Sequence, residues 1–282
     1  SHPLLQLAAD IQSRLVPHVG KADQILLFED DFSRLMKGSC PFLLLDRDGQ
    51  ALPDVYVADR LAQEATWETI SAPGDVSRVP RVVFYSIKGG VGRSTALAAC
   101  AWSLAASGQR VLVLDLDLES PGLSSSLLPQ SRQPAYGITD WLVEDLVGNG
   151  DAVMEQMHAS VSTPQRGELI VVPSHGFEPG EYVSKLGRVW MPGFTPDGQR
   201  QTWSERLLRM IQQLEERHQP TIVLIDSRAG IDEVASACVT DLAAKRIYLF
   251  ALDSLQTWLG YRILFEHWRV HGVASKIRKQ LQ

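Results

Sequence analysis

From residue 81 onward, short unbroken apolar runs alternate with longer stretches in which apolar residues recur at helical spacing. The runs fall at 82–86, 111–114, 169–172, 221–225 and 247–252, and the helical stretches at 94–107, 138–147, 203–217 and 255–270. A short apolar run bounded by turn or charged residues reads as a strand buried on both faces. Its alternation with helices predicts an α/β fold, a mostly parallel sheet with helices on both faces. Right-handed crossovers then gather the C-terminal ends of the strands along one edge, where a site forms.

Residues 1–70 have a different, mixed pattern. The spacing predicts a helix over 4–16, strands over 24–28 and 41–45, and a second helix over 57–70. Residues 71–80 (SAPGDVSRVP) hold two prolines and a glycine and little apolar content, which reads as a linker. The expected organisation is a small α/β N-terminal segment over 1–70, a linker over 71–80 and a main domain over 81–282. The sequence has no internal repeat and no low-complexity tract.

Composition narrows the class. At 282 residues with 45% hydrophobic and 21% charged positions, the chain is neither disordered nor collagen-like, and its core needs no disulfide or metal staple. Cys40, Cys100 and Cys238 are far apart, and no pair has zinc-ligand or redox spacing, which fits a reducing, cytoplasmic setting. No apolar run reaches the roughly 18 residues of a membrane span, and the N-terminus lacks the pattern of a signal peptide. The tail over 273–281 sets Val273, Ile277 and Leu281 on one helical face near Lys276, Arg278 and Lys279. It lacks the bulky aromatics of an interfacial anchor and reads as a connecting segment. Net charge is −6, so the whole chain gives no support to nucleic-acid binding; a DNA contact would rest on the few basic residues of 262–279. The seven histidines are scattered, and the seven tryptophans sit within apolar patterns, so packing accounts for them.

The candidate chemistry begins after the run at 82–86. Lys88-Gly89-Gly90-Val91-Gly92-Arg93-Ser94-Thr95 lies between that strand and an alanine-rich helix. Closely spaced glycines let the backbone turn tightly and aim N–H groups inward, and the helix N-terminus adds free N–H groups and partial positive charge. A basic residue just before Ser/Thr can reach β/γ-phosphates, and the hydroxyl of Ser94 can ligate Mg²⁺. After the run at 111–114 come Asp115 and Asp117; after the run at 221–225 comes Asp226. Acids at these strand ends can hold Mg²⁺ or orient an attacking water.

The run 88–95 resembles the deviant Walker A motif of the MinD/ParA family of P-loop ATPases. The segment at 115–122 resembles that family's first switch, and Asp226-Ser-Arg-Ala-Gly230 resembles its second switch. The segments 168–174 and 252–260 follow in the family's order, so the resemblance covers about residues 80–272 and leaves 1–79 outside it. It implies ATP and Mg²⁺ as ligands, with residues 88–95 on the nucleotide and Ser94, Asp117 and Asp226 on the metal. It further implies that Asp117 positions the water and that Lys88 reaches across an ATP-dependent homodimer to the other subunit's nucleotide. Lys88 and Asp117 are then the catalytic pair.

Three departures stand out. Arg93 replaces the usual P-loop lysine, which bears on hydrolysis more than on binding. Arg228 replaces a common proline, and reads either as a γ-phosphate sensor or as a surface ion-pair residue. The family's adenine-cradling loop has no counterpart before Gln282, so either the chain is truncated or the base is recognised differently. The expected function is a slow ATPase switch that regulates a protein partner through the N-terminal segment. A non-hydrolysing nucleotide sensor and a DNA-partition ATPase are the alternatives. An iron–sulfur reductase of the same superfamily is excluded by cysteine placement.

Overall fold

The computed structural model describes residues 3–15, 42–45, 51–57, 67, 78–178, 180–195 and 199–282. The chain forms two compact units, Ser1–Ala62 and Gln63–Gln282. In the first, helix α1 (Pro3–Leu15) precedes an antiparallel pair, β1 (Phe42–Leu45) and β2 (Ala51–Val57), with Phe42 opposite Val57 and Leu43 opposite Tyr56. The strand expected over 24–28 and most of the linker lie outside the described residues. The helix expected over 57–70 is corrected where the structure describes it: Val57 closes β2 and Trp67 sits in a turn. Tyr56 and Val57 pair with β1, and this cross-strand pairing overrides the helical spacing read from sequence.

The second unit is built on a sheet of six strands: β3 (Arg81–Ser86), β4 (Arg110–Asp115), β5 (Ala159–Ser162), β6 (Glu168–Val172), β9 (Ile222–Ala229) and β10 (Arg246–Phe250). A separate small ribbon pairs β7 (Gly193–Phe194) with β8 (Arg200–Gln201). The six-stranded order is β10-β3-β9-β4-β6-β5, and every neighbouring pair is parallel except β5 with β6. This is the mostly parallel sheet that the apolar runs predict. Strand β9 continues through the Asp226–Ala229 segment, beyond the expected end at 225, and so carries Asp226 inside the ladder. Edge strand β5 alternates half-buried and exposed positions, a pattern too short and polar to read as a buried run.

Alternate residues along each strand feed opposite faces, as strand geometry requires. On one face Val83, Tyr85, Leu112, Leu114, Ile170, Val172, Val223 and Ile225 pack against four helices. These are α4 (Ile138–Glu144), α7 (Trp203–His218), α8 (Glu233–Thr240) and α9 (Leu255–Val270). On the other, Val82, Phe84, Val111, Val113, Leu169, Val171 and Leu224 meet α2 (Arg93–Ala106) and α3 (Leu123–Leu127). Helix α2 buries Leu97, Ala98, Ala101 and Ala105 against the sheet. Each buried leucine contributes about 1.5–3 kcal/mol, and the small alanines let the helix axis lie close to the strands. Short helices α5 (Gly150–Met154), α6 (Tyr182–Leu186) and α10 (Val273–Ile277) complete the unit.

Helix starts are set locally. Thr202 and Glu205 form a reciprocal capping box on α7, Asp232 accepts the Val234 and Ala235 amides at the start of α8, and Ser254 caps α9. Gly260 lets α9 approach the end of β3, since a Cβ there would lie 2.4 Å from Ile87 Cγ2.

Candidate functional site

Strands β3, β9 and β4 are adjacent, so the register brings Ser86, Asp226 and Asp115 to the same edge. Between β3 and α2 the chain turns through Gly89–Gly92. Gly90 (φ 74°) and Gly92 (φ 84°) are left-handed, while a Cβ at either would meet nothing. Backbone conformation, not crowding, therefore selects glycine here. Gly92 is the N-cap of α2, so the first-turn amides of that helix are available to an acceptor in front of it. The loop walls a cleft of about 400 Å³, lined also by Ser86, Arg93, Ser94, Thr95, Asp117, Ser120 and Arg228. Of the stretch 88–95, only Lys88 is not among the lining residues; it is exposed beside them.

Arg93 is turned inward, with 6% of its surface exposed. Its Nε donates to Asp226 Oδ1 at 2.7 Å and its Nη2 to Asp117 Oδ2 at 3.0 Å. Longer contacts, 3.4 Å each, run from Nη1 to Ser86 Oγ and from Nη2 to Ser94 Oγ. One guanidinium thus joins buried Asp226 to three residues that line the cleft, Ser86, Ser94 and Asp117, and no sequence signal marks this arrangement. Burial opposes its charge, but Asp226 and Asp117 outweigh burial and raise its pKa. Burial likewise pushes the Asp226 carboxyl up, against the opposing pull of Arg93 and Ser94.

Asp115 is the register partner of Asp226 across β4 and β9. Burial and that neighbouring charge push its carboxyl up to about 7. Asp115 accepts the backbone N–H of Asp117 (3.2 Å), of Gly122 (3.4 Å) and of Leu123 (3.2 Å), and so shapes the loop that presents Asp117. The Tyr182 hydroxyl on α6 donates to the Leu118 carbonyl of the same loop. On the β9 side, Tyr85 OH donates to the Gly230 carbonyl at 2.9 Å and the Gly230 N–H donates to Ser86 O at 3.0 Å. Neither tyrosine is legible as a loop support from sequence, because each reads as a core aromatic.

Arg228 lines the cleft and is also an ion-pair residue: its Nη2 lies 2.6 Å from Glu119 Oε2 and its Nε 3.6 Å from Asp232 Oδ2. Of the two readings open at the sequence level, the ion pairs are the one the geometry displays.

The donor set can be tested against Mg²⁺. Ser94, Asp117 and Asp226 supply hard oxygen ligands on one side of the glycine loop, and Asp117 Oδ1 is buried without a hydrogen-bond partner. Among the described residues no group of three or more His, Cys, Asp or Glu side chains could hold a metal alone. One or two carboxylates completed by substrate phosphates are the usual protein share of a Mg²⁺ site, so the residues fit. Among the described residues, no helix is long and apolar enough to cross a membrane.

A sheet of this order, with a glycine loop at a helix N-terminus and acids on the neighbouring strand ends, is a P-loop nucleotide-binding architecture. The chain belongs to the CobQ/CobB/MinD/ParA nucleotide binding domain family, whose match spans residues 82–249. It is similar to the cytosolic Fe-S cluster assembly factor NUBP2 of Bos taurus, with 36% identity over 76 residues, 27% of this chain and 28% of that protein. Among solved structures it is similar to a ParA family ATPase from Chlorobium tepidum TLS, at 17% identity and TM-score 0.46, with 68% of each chain covered. It is also similar to the kinase domain of Escherichia coli tyrosine kinase ETK, at 16% identity and TM-score 0.44, covering 70% of this chain and 65% of that one.

Proposed function

We propose that the chain is a Mg–ATP-dependent switch: it binds ATP at residues 89–95, dimerises on it, hydrolyses it slowly and thereby regulates a protein partner. The observation that carries this reading is the cleft itself, lined by the glycine loop, the α2 N-terminus and Asp117, with Asp226 buried behind it and joined to it through Arg93. The loop amides and the positive end of α2 receive the β- and γ-phosphates. Ser94, Asp117 and Asp226 hold Mg²⁺, which when bound neutralises phosphate charge. Asp117 orients the attacking water. Lys88 reaches a second subunit's nucleotide, a role supported by its exposure beside the loop. The preference for ATP follows the resemblance to ATPases of the family, as does the partner-binding role given to the N-terminal segment.

A second reading has one specific observation behind it. Arg93 binds both carboxylates that turnover needs, which suits a sensor that binds nucleotide and does not hydrolyse it. Phosphate release and light scattering on the purified chain with Mg–ATP separate the two. Dimerisation with release supports the switch; dimerisation without release supports the sensor; neither, with no nucleotide bound, overturns both.

A further inference from the structure

We propose that Arg93 is a built-in cation that withholds Asp117, Asp226 and Ser94 from divalent metal until the phosphates of a nucleotide draw it away. The inference rests on the nucleotide-site reading above and assigns that site its order of assembly.

The geometry carries it. A divalent ion here would use oxygens of Ser94, Asp117 and Asp226, and the Arg93 guanidinium already sits on one oxygen of each, Ser94 Oγ, Asp117 Oδ2 and Asp226 Oδ1. The Asp226 side chain is 1% exposed and that of Arg93 7%, so water does little to screen either charge. Two carboxylates so close together need a cation between them, and the guanidinium supplies it. A second cation added to the filled cage would place three positive charges against two negative ones. Metal binding to the nucleotide-free chain is therefore disfavoured.

A triphosphate changes that balance. It brings several negative charges to the glycine loop, and a guanidinium pairs with phosphate oxygens as readily as with carboxylates. Once Arg93 turns to the phosphates, the carboxylates and the Ser94 hydroxyl are free for the metal. Nucleotide and metal then favour each other's binding, and the coupling is reciprocal. The planar fork is essential: three of its nitrogens reach Asp226, Asp117 and Ser86 from one side chain. A lysine offers one compact ammonium and could not span these partners at once.

The test uses Mn²⁺ as probe on the whole chain, followed by water-proton relaxation, which reports ion carried by the protein. Without nucleotide, wild type takes up Mn²⁺ weakly, and Arg93→Gln binds it at least about tenfold more tightly, because the competing cation is gone, while Arg93→Lys, which keeps a cation but not the fork, gains less. Adding Asp226→Asn to Arg93→Gln removes the gain. Saturating adenosine 5′-(β,γ-imido)triphosphate, whose own chelation of Mn²⁺ is common to both proteins, should raise protein-bound Mn²⁺ by a clearly larger factor in wild type than in Arg93→Gln. Wild type binding Mn²⁺ as tightly without nucleotide as with it, or as tightly as Arg93→Gln, overturns the proposal while leaving the nucleotide site standing. Failure of the nucleotide analogue to bind wild type, with Mg²⁺ or with EDTA, overturns the site reading and this proposal together.

Discussion

The Arg228 guanidinium pairs with Glu119 at 2.6 Å, so one ion pair ties the loop after β4 to the last residues of β9. Both loops border the cleft, and Asp117 lies on the first of them. Arg228 thus adds a second tie between two segments that Arg93 already bridges through Asp117 and Asp226.

Glu119→Gln should loosen that link. Amide exchange across 117–122 should become faster in the nucleotide-free protein, measured by hydrogen–deuterium exchange. Glu119 is 44% exposed and Arg228 29%, so the cost in global stability should stay below about 1 kcal/mol. Unchanged exchange in these residues would show that the pair does not restrain the loop.

Asp117→Ala should bind ATP with little change and hydrolyse it about 10²–10⁴-fold more slowly, as expected for a group that orients the nucleophile in the transition state. The dimer formed on ATP should then persist. Single-turnover phosphate release beside a nucleotide-binding titration checks both halves. Release at the wild-type rate would remove Asp117 from the catalytic role.

Much of the fold is legible in the chain because buried parallel strands need continuous apolar runs, and 82–86, 111–114 and 169–172 have them. The glycine loop is legible for a related reason: the left-handed turns at Gly90 and Gly92 admit few other residues. What sequence hides are contacts set by register and side-chain direction. Asp226 lies 133 positions from Arg93 and Glu119 lies 109 before Arg228, and no local pattern records either pairing. The strand Ala51–Val57 was hidden differently, since a proline and an aspartate inside it mask its alternation. Asp115 reads as a strand-end acid like Asp117, and only the register opposite Asp226 reveals a carboxyl near neutrality that organises the loop.

The His158–His218 pair should lose its stabilising contribution on acidification, over the same range in which the raised Asp115 carboxyl takes up its proton. His158 and His218 pack edge to face at 4.3 Å, and burial lowers both pKa values, that of His218 to about 4. In the unfolded chain these rings take up protons near 6.5. The unfolded state therefore binds more protons below that pH. The contribution of the neutral pair is complete above pH 6.5 and is lost as pH falls toward 4. In thermal melts between pH 6.5 and 5 the Tm of wild type should fall relative to that of His218→Gln, a difference that isolates the ring pair from the opposing proton uptake by Asp115. An equal slope in wild type and variant would mean that the pair does not set the acid limit.

Lys88 and Arg93 share a charge and a loop but differ in burial, and that difference separates their roles. Lys88 is exposed beside the cleft, whereas Arg93 is closed over Asp226 and Asp117. Removing an exposed lysine leaves no buried charge unpaired, so Lys88→Ala should fold normally and bind ATP as a monomer with nearly wild-type affinity. It should lose ATP-dependent dimerisation and turnover, because its proposed partner is the nucleotide of the other subunit. Arg93→Ala should instead weaken nucleotide binding itself by about 1.5–3 kcal/mol, the value of a charge-assisted hydrogen bond. Nucleotide titration, light scattering and phosphate release on the two variants give the three readings needed. A Lys88→Ala protein that still dimerises and hydrolyses at the wild-type rate would leave the cleft intact as a nucleotide site. It would also end the assignment of Lys88 to a neighbouring subunit's nucleotide.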